Sequence, residues 1–413
     1  MAGIPEHKKD AQPLTTPAPC IIFVRMKEFR NIPVDRLALQ LAGRTDIDVA
    51  HVLRQVEGWQ RLRTKVPAWA AIDELEYPRR ISLEQCSGEP AARYKADVVR
   101  RLMQTLPEGP HRMADLTGGL GVDFSFIAPL FDHATYVERQ EELCALARHN
   151  FPLLGLPDAE IVCGDGVDHL RAMEPVDLLF LDPARRDSAG RKTVLIEECE
   201  PDVCALRDLL LQKAAFVVLK LSPMLDIAGA LQALRTVSEV HVVSVGGECK
   251  DLLLVLTASA DGTDPLIVAR EGETVFSFRP SVEGAASPAF ADVCGTYLYE
   301  PGAAVLKAGA FKLAAARFGL KKLHPNSHLY TGDVCVDDFP GRRFRVTRVY
   351  SFGKKDLKEL KTAVDRANLT VRNFPSSVDA LRKKLKLKDG GEIFLFATTF
   401  SNGEHVLIQS EKV

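Results

Sequence analysis

The stretch DLTGGLGVD, residues 115–123, closes a short β-rich run (HRMADL, His111–Leu116) with an acid followed by three glycines. Glycines at this spacing let the backbone turn tightly and approach a ligand, and the helix expected next presents free N–H groups. A dinucleotide-binding turn would read Gly-x-Gly-x-x-Gly. Here the form is Asp115-x-Thr117-x-Gly119-x-Gly121, with an acid ahead of the turn.

Working outward, the chain alternates strand-like and helix-like segments. ATYVER, AEIVCGD, VDLLFLDP and AFVVLKLSP are short β-rich runs that end in polar or turn residues. Amphipathic stretches such as EELCALARHNF and VCALRDLLLQ lie between them. Such alternation predicts an α/β domain: a Rossmann-like parallel sheet covered by helices on both faces. EVHVVSV and DLLLVLTA are separated only by GGECK, too short for a crossover, so the last strand should run antiparallel.

Ligands of open parallel sheets bind beyond the carboxyl ends of the strands, so the residues closing each strand belong together. The second run ends in Glu138, 23 residues after Asp115, where a carboxylate can accept both hydroxyls of a ribose. The third ends at Asp165-Gly166, placed to accept from an adenine amino group, and the fourth at Asp182-Pro183. Acids gathered at one edge repel one another unless a ligand or donors lie among them.

Three further regions flank this domain, taken as residues 109–260. Residues 1–27 read as a loose tail, and residues 28–108 as helical, with Asp48 a candidate N-cap for the segment running to Lys65. Residues 261–413 read as a smaller α+β domain: a hairpin in PLIVAREGETVFSF, a helix over GAAVLKAGAFKLAAARFG, a basic helix in SVDALRKKLKLK and a closing hairpin at Ser401-Asn402-Gly403. Residues 307–388 carry 20 Lys and Arg against 7 Asp and Glu, a balance of +13 hidden inside a net charge of −2. A basic module beside an acidic body points to a polyanionic partner.

Nine scattered cysteines without a CxxC pair argue against a disulfide framework or zinc cluster and for a cytoplasmic, reducing setting. His324 and His328 are four apart, but Pro325 breaks the helix a metal face would need, so no metal is expected. No run approaches the ~18 apolar residues of a membrane span, and none resembles a secretory leader.

With these residues in hand, DLTGGLGVD, YVER, CGDG and LDPARR resemble the motifs of class I S-adenosylmethionine (AdoMet) methyltransferases. More closely, SLEQCSGEPAARYKAD (82–97), KLSPMLD, GGECKDLLL, YEPGAAVLKAGAF and HPNSHLYTG resemble bacterial methyltransferases with a C-terminal THUMP-like domain. The resemblance implies AdoMet as methyl donor, held by Asp115, Thr117, Gly119, Gly121, Asp123, Glu138, Asp165 and Gly166, and RNA as substrate. Asp182, Pro183 and Arg185 become the catalytic candidates. Lys95, Arg186, Lys220, Ser222, Glu248 and Lys250 become candidates for substrate contact, with Glu84, Gln85 and Tyr94 as candidates for a lid.

The methylated atom is less constrained. Amino methyltransferases pair Asp-Pro with a second proline and an aromatic, and here Ala184 and Arg185 stand instead. Asp-Pro-Ala-Arg is similar to uracil-C5 enzymes, but Lys220-Leu221-Ser222-Pro223 lacks their nucleophilic thiol, leaving Cys249 as the substitute, with Cys86 the other cysteine near the motifs. The glycine loop is similar to guanine-N2 methyltransferases, which favours a base nitrogen in rRNA or tRNA. Two alternatives stay open: a catalytically silent RNA-binding or assembly factor, and a methyltransferase for a protein or small molecule.

Overall fold

The computed structural model describes residues 27–185 and 195–413. Arg186 and nearly all of the expected tail lie outside them. Nine strands form one sheet: β1 (Arg112–Asp115), β2 (His133–Glu138), β3 (Glu160–Cys163), β4 (Val176–Leu181), β5 (Ala214–Leu221), β6 (Val237–Val245), β7 (Glu248–Leu256), β8 (Leu266–Glu271) and β9 (Thr274–Phe278). Their order is β9-β8-β6-β7-β5-β4-β1-β2-β3. The β1/β4, β4/β5 and β2/β3 pairs are parallel, as the alternation predicts. β7 runs antiparallel to both β5 and β6.

Two details differ from the sequence reading. Val245 pairs with Glu248, so the β6–β7 connection is only Gly246-Gly247, both at positive φ (63° and 80°). Two glycines in the left-handed region make the tight hairpin turn that matches strand twist, and Glu248, Cys249 and Lys250 become strand residues. The sheet also continues beyond residue 260. β8 pairs parallel to β6 and β9 antiparallel to β8. The consecutive burial of Ile267, Val268 and Ala269 shows why: a strand covered on both faces needs a neighbour and a helix layer, which a small separate hairpin lacks.

The chain divides into two compact units, one of residues up to Arg101 with Gly118–Gly164, the other of Leu102–Thr117 with Asp165–Val413. In the first, helices α1 (Val34–Leu41), α2 (Val49–Lys65), α3 (Pro67–Ala70), α4 (Arg80–Gln85) and α5 (Glu89–Met103) precede α6 (Val122–Ile127) and α7 (Glu141–Leu153). The Asp48 carboxylate caps α2 by accepting the His51 amide at 2.9 Å. Leu62, Val66, Trp69 and Leu83 pack with Leu120 and Val122, so the helical layer seats the end of the glycine loop. Beneath it, Phe124 stacks on Phe151 with ring centroids 5.0 Å apart, and Tyr136 meets both edge-on.

In the second unit, α8 (Gly166–Ala172), α9 (Val203–Lys213) and α10 (Ile227–Leu234) are capped by Asp165, Asp202 and Asp226. The remaining chain builds α11 (Pro280–Ala285), α12 (Ala303–Ala308), α13 (Leu313–Arg317), α14 (Lys354–Ala363) and α15 (Val378–Leu385). It also builds β10 (Tyr297–Pro301), β11 (Lys321–Lys322), β12 (Tyr330–Gly332), β13 (Gly341–Ser351), β14 (Asn368–Val371), β15 (Ile393–Thr399) and β16 (His405–Lys412). These seven strands form a second sheet, ordered β11-β12-β10-β13-β16-β15-β14. The single helix expected over 302–319 is split at Gly309 (φ +82°). The Glu283 carboxylate of α11 accepts the amides of Phe311, Lys312 and Leu313, satisfying donors that a continuous helix would have used internally. α12 lies against β8, β6 and β7, and Lys307 on it donates to the Leu225 carbonyl at 2.8 Å.

The aromatic trio leaves no room above it. A Cβ at Gly118 would fall 2.2 Å from the Tyr136 ring, whereas one at Gly164 meets nothing within 4 Å. Gly118→Ala should therefore cost about 1–3 kcal/mol through overpacking. Gly164→Ala should stay within ~0.5 kcal/mol of wild type. Urea titration of the two variants checks both values.

Candidate active site

Within the second unit, β4, β5, β6 and β8 run in the same direction as β1, so their carboxyl ends share one edge. Asp115 ends β1 buried (2% exposed), and its Oδ1 accepts the Thr117 amide at 2.9 Å. The Thr117 hydroxyl oxygen accepts the Asp182 amide at 2.6 Å, and the Leu116 amide donates to the Phe180 carbonyl at 3.0 Å. The start of the loop and the end of β4 are thereby pinned together. Asp182 keeps 41% of its side chain exposed and pairs with Lys220 of β5, which is nearly buried. Pro183 is buried behind it, and Arg185 belongs to a two-residue strand pairing Ala184–Arg185 with Cys199–Glu200. The Ser222 hydroxyl oxygen accepts the Met224 amide at 3.2 Å, forming the turn after β5.

Asp165 is an N-cap, accepting the Val167 and Asp168 amides at 2.8 and 3.2 Å. A Cβ at Gly166 would lie 2.1 Å from the Leu116 carbonyl oxygen, so only glycine lets α8 start this close to the loop. The candidates at the β6–β7 hairpin sit in the open. Glu248 and Lys250 are exposed and pair with each other two residues apart. Burial, with the Glu271 carboxylate adding to it, pushes the Cys249 thiol above its usual range, which lowers its thiolate fraction and makes it a poor nucleophile.

Within the first unit, Gly119 and Gly121 adopt φ of +57° and +84°. The Gly119 amide donates to Glu138 Oε2 at 2.8 Å, and the Gln140 amide donates to Oε1 of the same carboxylate at 2.8 Å. The Tyr136 hydroxyl donates to the Gly119 carbonyl. Glu138 thus shapes the glycine loop, and a carboxylate that accepts two amides still has further lone pairs for two hydroxyls.

Lys95 is placed otherwise than expected. It is fully buried, and its ammonium donates to Asp123 at 2.9 Å and to Ser87 at 2.7 Å, while Ser87 donates to the other Asp123 oxygen at 2.7 Å. A substrate-contacting role for Lys95 is replaced by an internal one: it anchors the first turn of α6 to α5. Asp123 is correspondingly taken up by protein donors. Among the proposed lid residues, Glu84 pairs with Arg80 and Arg61, Gln85 is exposed and Tyr94 is buried. Cys86 is half-buried and donates to the Leu83 carbonyl. Ser87 and Tyr136 escaped the sequence reading. No regular spacing joins residues 87, 95 and 123, and Tyr136 read only as a strand residue.

Among the described residues no cluster of His, Cys, Asp and Glu could hold a metal, and no helix is long and apolar enough to cross a membrane. The His328 ring instead stacks on Phe311 with centroids 3.7 Å apart.

Comparison with known proteins fits this geometry. Residues 297–340 match a ferredoxin-like domain family and residues 341–412 a THUMP domain-like family. The crystal structure of a methyltransferase-family protein from Porphyromonas gingivalis W83 is 37% identical, covers 96% of this chain and 98% of its own, and superposes with a TM-score of 0.84. The chain belongs to the class I AdoMet-dependent methyltransferases with a C-terminal THUMP-like domain. Uncharacterized S-adenosylmethionine-dependent methyltransferases from two strains of Mycobacterium tuberculosis are 27% identical over 343 residues, 82% of this chain and 87% of theirs. This methyltransferase therefore takes AdoMet as its cofactor. Within the first unit, the open glycine turn at φ > 0 and the Glu138 carboxylate are chemically suited to the ribose of an adenosyl group.

The Lys95–Asp123–Ser87 triangle has a stability consequence. Asp123→Ala removes a charged partner of a buried ammonium and should cost this methyltransferase about 3–5 kcal/mol. Lys95→Met combined with Asp123→Leu should recover most of that loss in urea unfolding.

Proposed function

We propose that this methyltransferase modifies a base nitrogen of RNA, delivered by the basic C-terminal domain. The observation that carries the reading is an array of exposed lysines. Lys354, Lys355, Lys358 and Lys361 stand exposed on α14, and Lys383, Lys384, Lys386 and Lys388 on and just after α15. The local ion pairs are made by arginines instead: Arg345–Glu411, Arg348–Glu359 and Arg382–Asp389. Among the described residues these lysines make no ion pair, although Lys384 lies over the Phe352 ring at 3.9 Å, which leaves them to a polyanion, and phosphate contacts supply most of the affinity of such surfaces. The apolar undersides of both helices, Leu357, Leu360, Leu381 and Leu385, are locked in one core, so the array is rigid.

At the site, Asp115 and Glu138 bind and orient the cofactor, which when bound supplies an electrophilic methyl group on a sulfonium. Asp182 accepts from the exocyclic amine of the target base. Lys220 pairs with that carboxylate and aims it, and the Thr117 hydroxyl fixes the backbone from which it projects. Catalysis then rests on proximity and orientation.

Glu138→Gln keeps one acceptor but loses the charge and one amide partner. It should weaken AdoMet binding at least ~10-fold by calorimetry, in line with loss of a charge-assisted hydrogen bond, and unchanged affinity would remove Glu138 from the cofactor site.

For the substrate, replacing Lys354, Lys355 and Lys358 by Ala should lower RNA affinity. The slope of log K against log salt should flatten by about 0.7–0.9 for each phosphate no longer neutralised. Nucleoside mass spectrometry of RNA from cells with and without the gene tests the reaction itself: a methylated base should vanish on deletion and stay absent with Asp182→Ala. If no RNA nucleoside changes, the RNA reading fails.

A further inference from the structure

The catalytic sheet ends on β9, which pairs only with β8. Glu271 pairs with Thr274, so the two strands are joined by just Gly272 and Glu273. Residues flanking a two-residue hairpin turn exchange both of their backbone hydrogen bonds, and the pattern alternates from there. Thr274, Phe276 and Phe278 therefore bond to β8, whereas the amides and carbonyls of Val275 and Ser277 point away from the sheet. Among the described residues no other backbone group bonds to either. Both residues are exposed, Val275 to 56%.

Sheet edges are ordinarily blunted by charge, proline, a bulge or brevity, because a free edge recruits another strand. The other edges of the two large sheets, β3, β11 and β14, have four, two and four residues. β9 has five, with no charge, no proline and an unbroken register. Threonine, valine and two phenylalanines give it high strand propensity. One face is already covered: Phe276 is buried, with Arg317 over its ring at 4.2 Å and Phe318 beside it. Charge stands only at the two ends. The Glu273 side chain is 99% exposed and reaches Arg270 at 3.4 Å, and Arg279 is exposed and donates to the Asp264 carbonyl.

We propose that β9 pairs with β9 of a second copy of this chain, antiparallel and two-fold symmetric about Phe276. The sequence is self-complementary about that centre. Val275 falls opposite Ser277 of the second copy, so the outward amides and carbonyls of both satisfy each other. Glu273 of each copy falls opposite Arg279 of the other. A centre one residue to either side shortens the overlap and separates these charges. This match of opposite charges at both ends is what selects a second copy, through an isologous interface, over an unrelated strand. Five residues a side make a small contact, so the dimer is weak and is loosened by salt. It involves neither AdoMet nor RNA and stands apart from the reading of the substrate.

Sedimentation velocity of the full-length protein, free of nucleic acid, tests the pairing. Between about 1 and 100 µM a monomer should give way to a dimer. Ser277→Pro removes an outward N–H without touching the β8 ladder, and should abolish the dimer at an unchanged melting temperature. Glu273→Arg and Arg279→Glu each set like charges opposite one another at both ends, and each should weaken self-association about 10-fold. An equimolar mixture of these two variants should recover the dimer, because every end then meets its opposite charge. Wild-type protein that stays monomeric leaves the edge to solvent or to a strand of another protein, and overturns the proposal. So does a dimer that survives Ser277→Pro in folded protein. If that variant unfolds, the mixture decides: failure to recover the dimer overturns the two-fold pairing.

Discussion

Carboxylates that accept backbone amides at the strand ends are the constraint on which this site depends. A glycine-rich turn leading into a helix leaves N–H groups without partners. Asp115 takes the amide of Thr117, Glu138 those of Gly119 and Gln140, and Asp165 those of Val167 and Asp168. Each acid satisfies backbone donors that the turn and the helix starts would otherwise leave unpaired. The turn is therefore shaped by these carboxylates before any ligand arrives. Ordering them at the moment of binding adds little entropic cost.

Much of this was legible from the chain alone. The alternating runs placed β1 to β7, and the acids stood where strands had to end. The sequence pattern could not show which of two neighbouring polar groups faces inward. Lys95 lies in a helix among Arg93 and Asp97, and nothing in that spacing says its amine is buried against Asp123 rather than held in solvent. Glu248 and Lys250 read as turn residues because GGECK is polar, yet two glycines complete the turn. In both cases the deciding interaction links residues distant in sequence or a backbone conformation that side-chain chemistry does not reveal.

The boundary after residue 260 shows a different kind of limit. PLIVAREGETVFSF is a plain hairpin pattern, and a hairpin can close a small domain or extend a large one. Burial decides: Ile267, Val268 and Ala269 are covered on both faces. The two family matches begin at Tyr297 and leave this hairpin outside them. The basic character is likewise unevenly used. Arginines of β13 are drawn into ion pairs with Asp337, with Glu411 of β16 and with Glu359 of α14, while the lysines of α14 and α15 remain exposed.

The seating of α12 bears on how such an enzyme can change. Ala304, Val305 and Ala308 are buried as this helix lies on β8, β6 and β7, and Lys307 reaches back to the Leu225 carbonyl. The segment that opens the C-terminal domain thus forms part of the wall of the catalytic one. A recombination that swapped everything after residue 260 for a foreign recognition module would strip two strands and a helix from the methyl-transferring sheet and bare its apolar surface. Point changes on the lysine-bearing helices, by contrast, leave that wall intact.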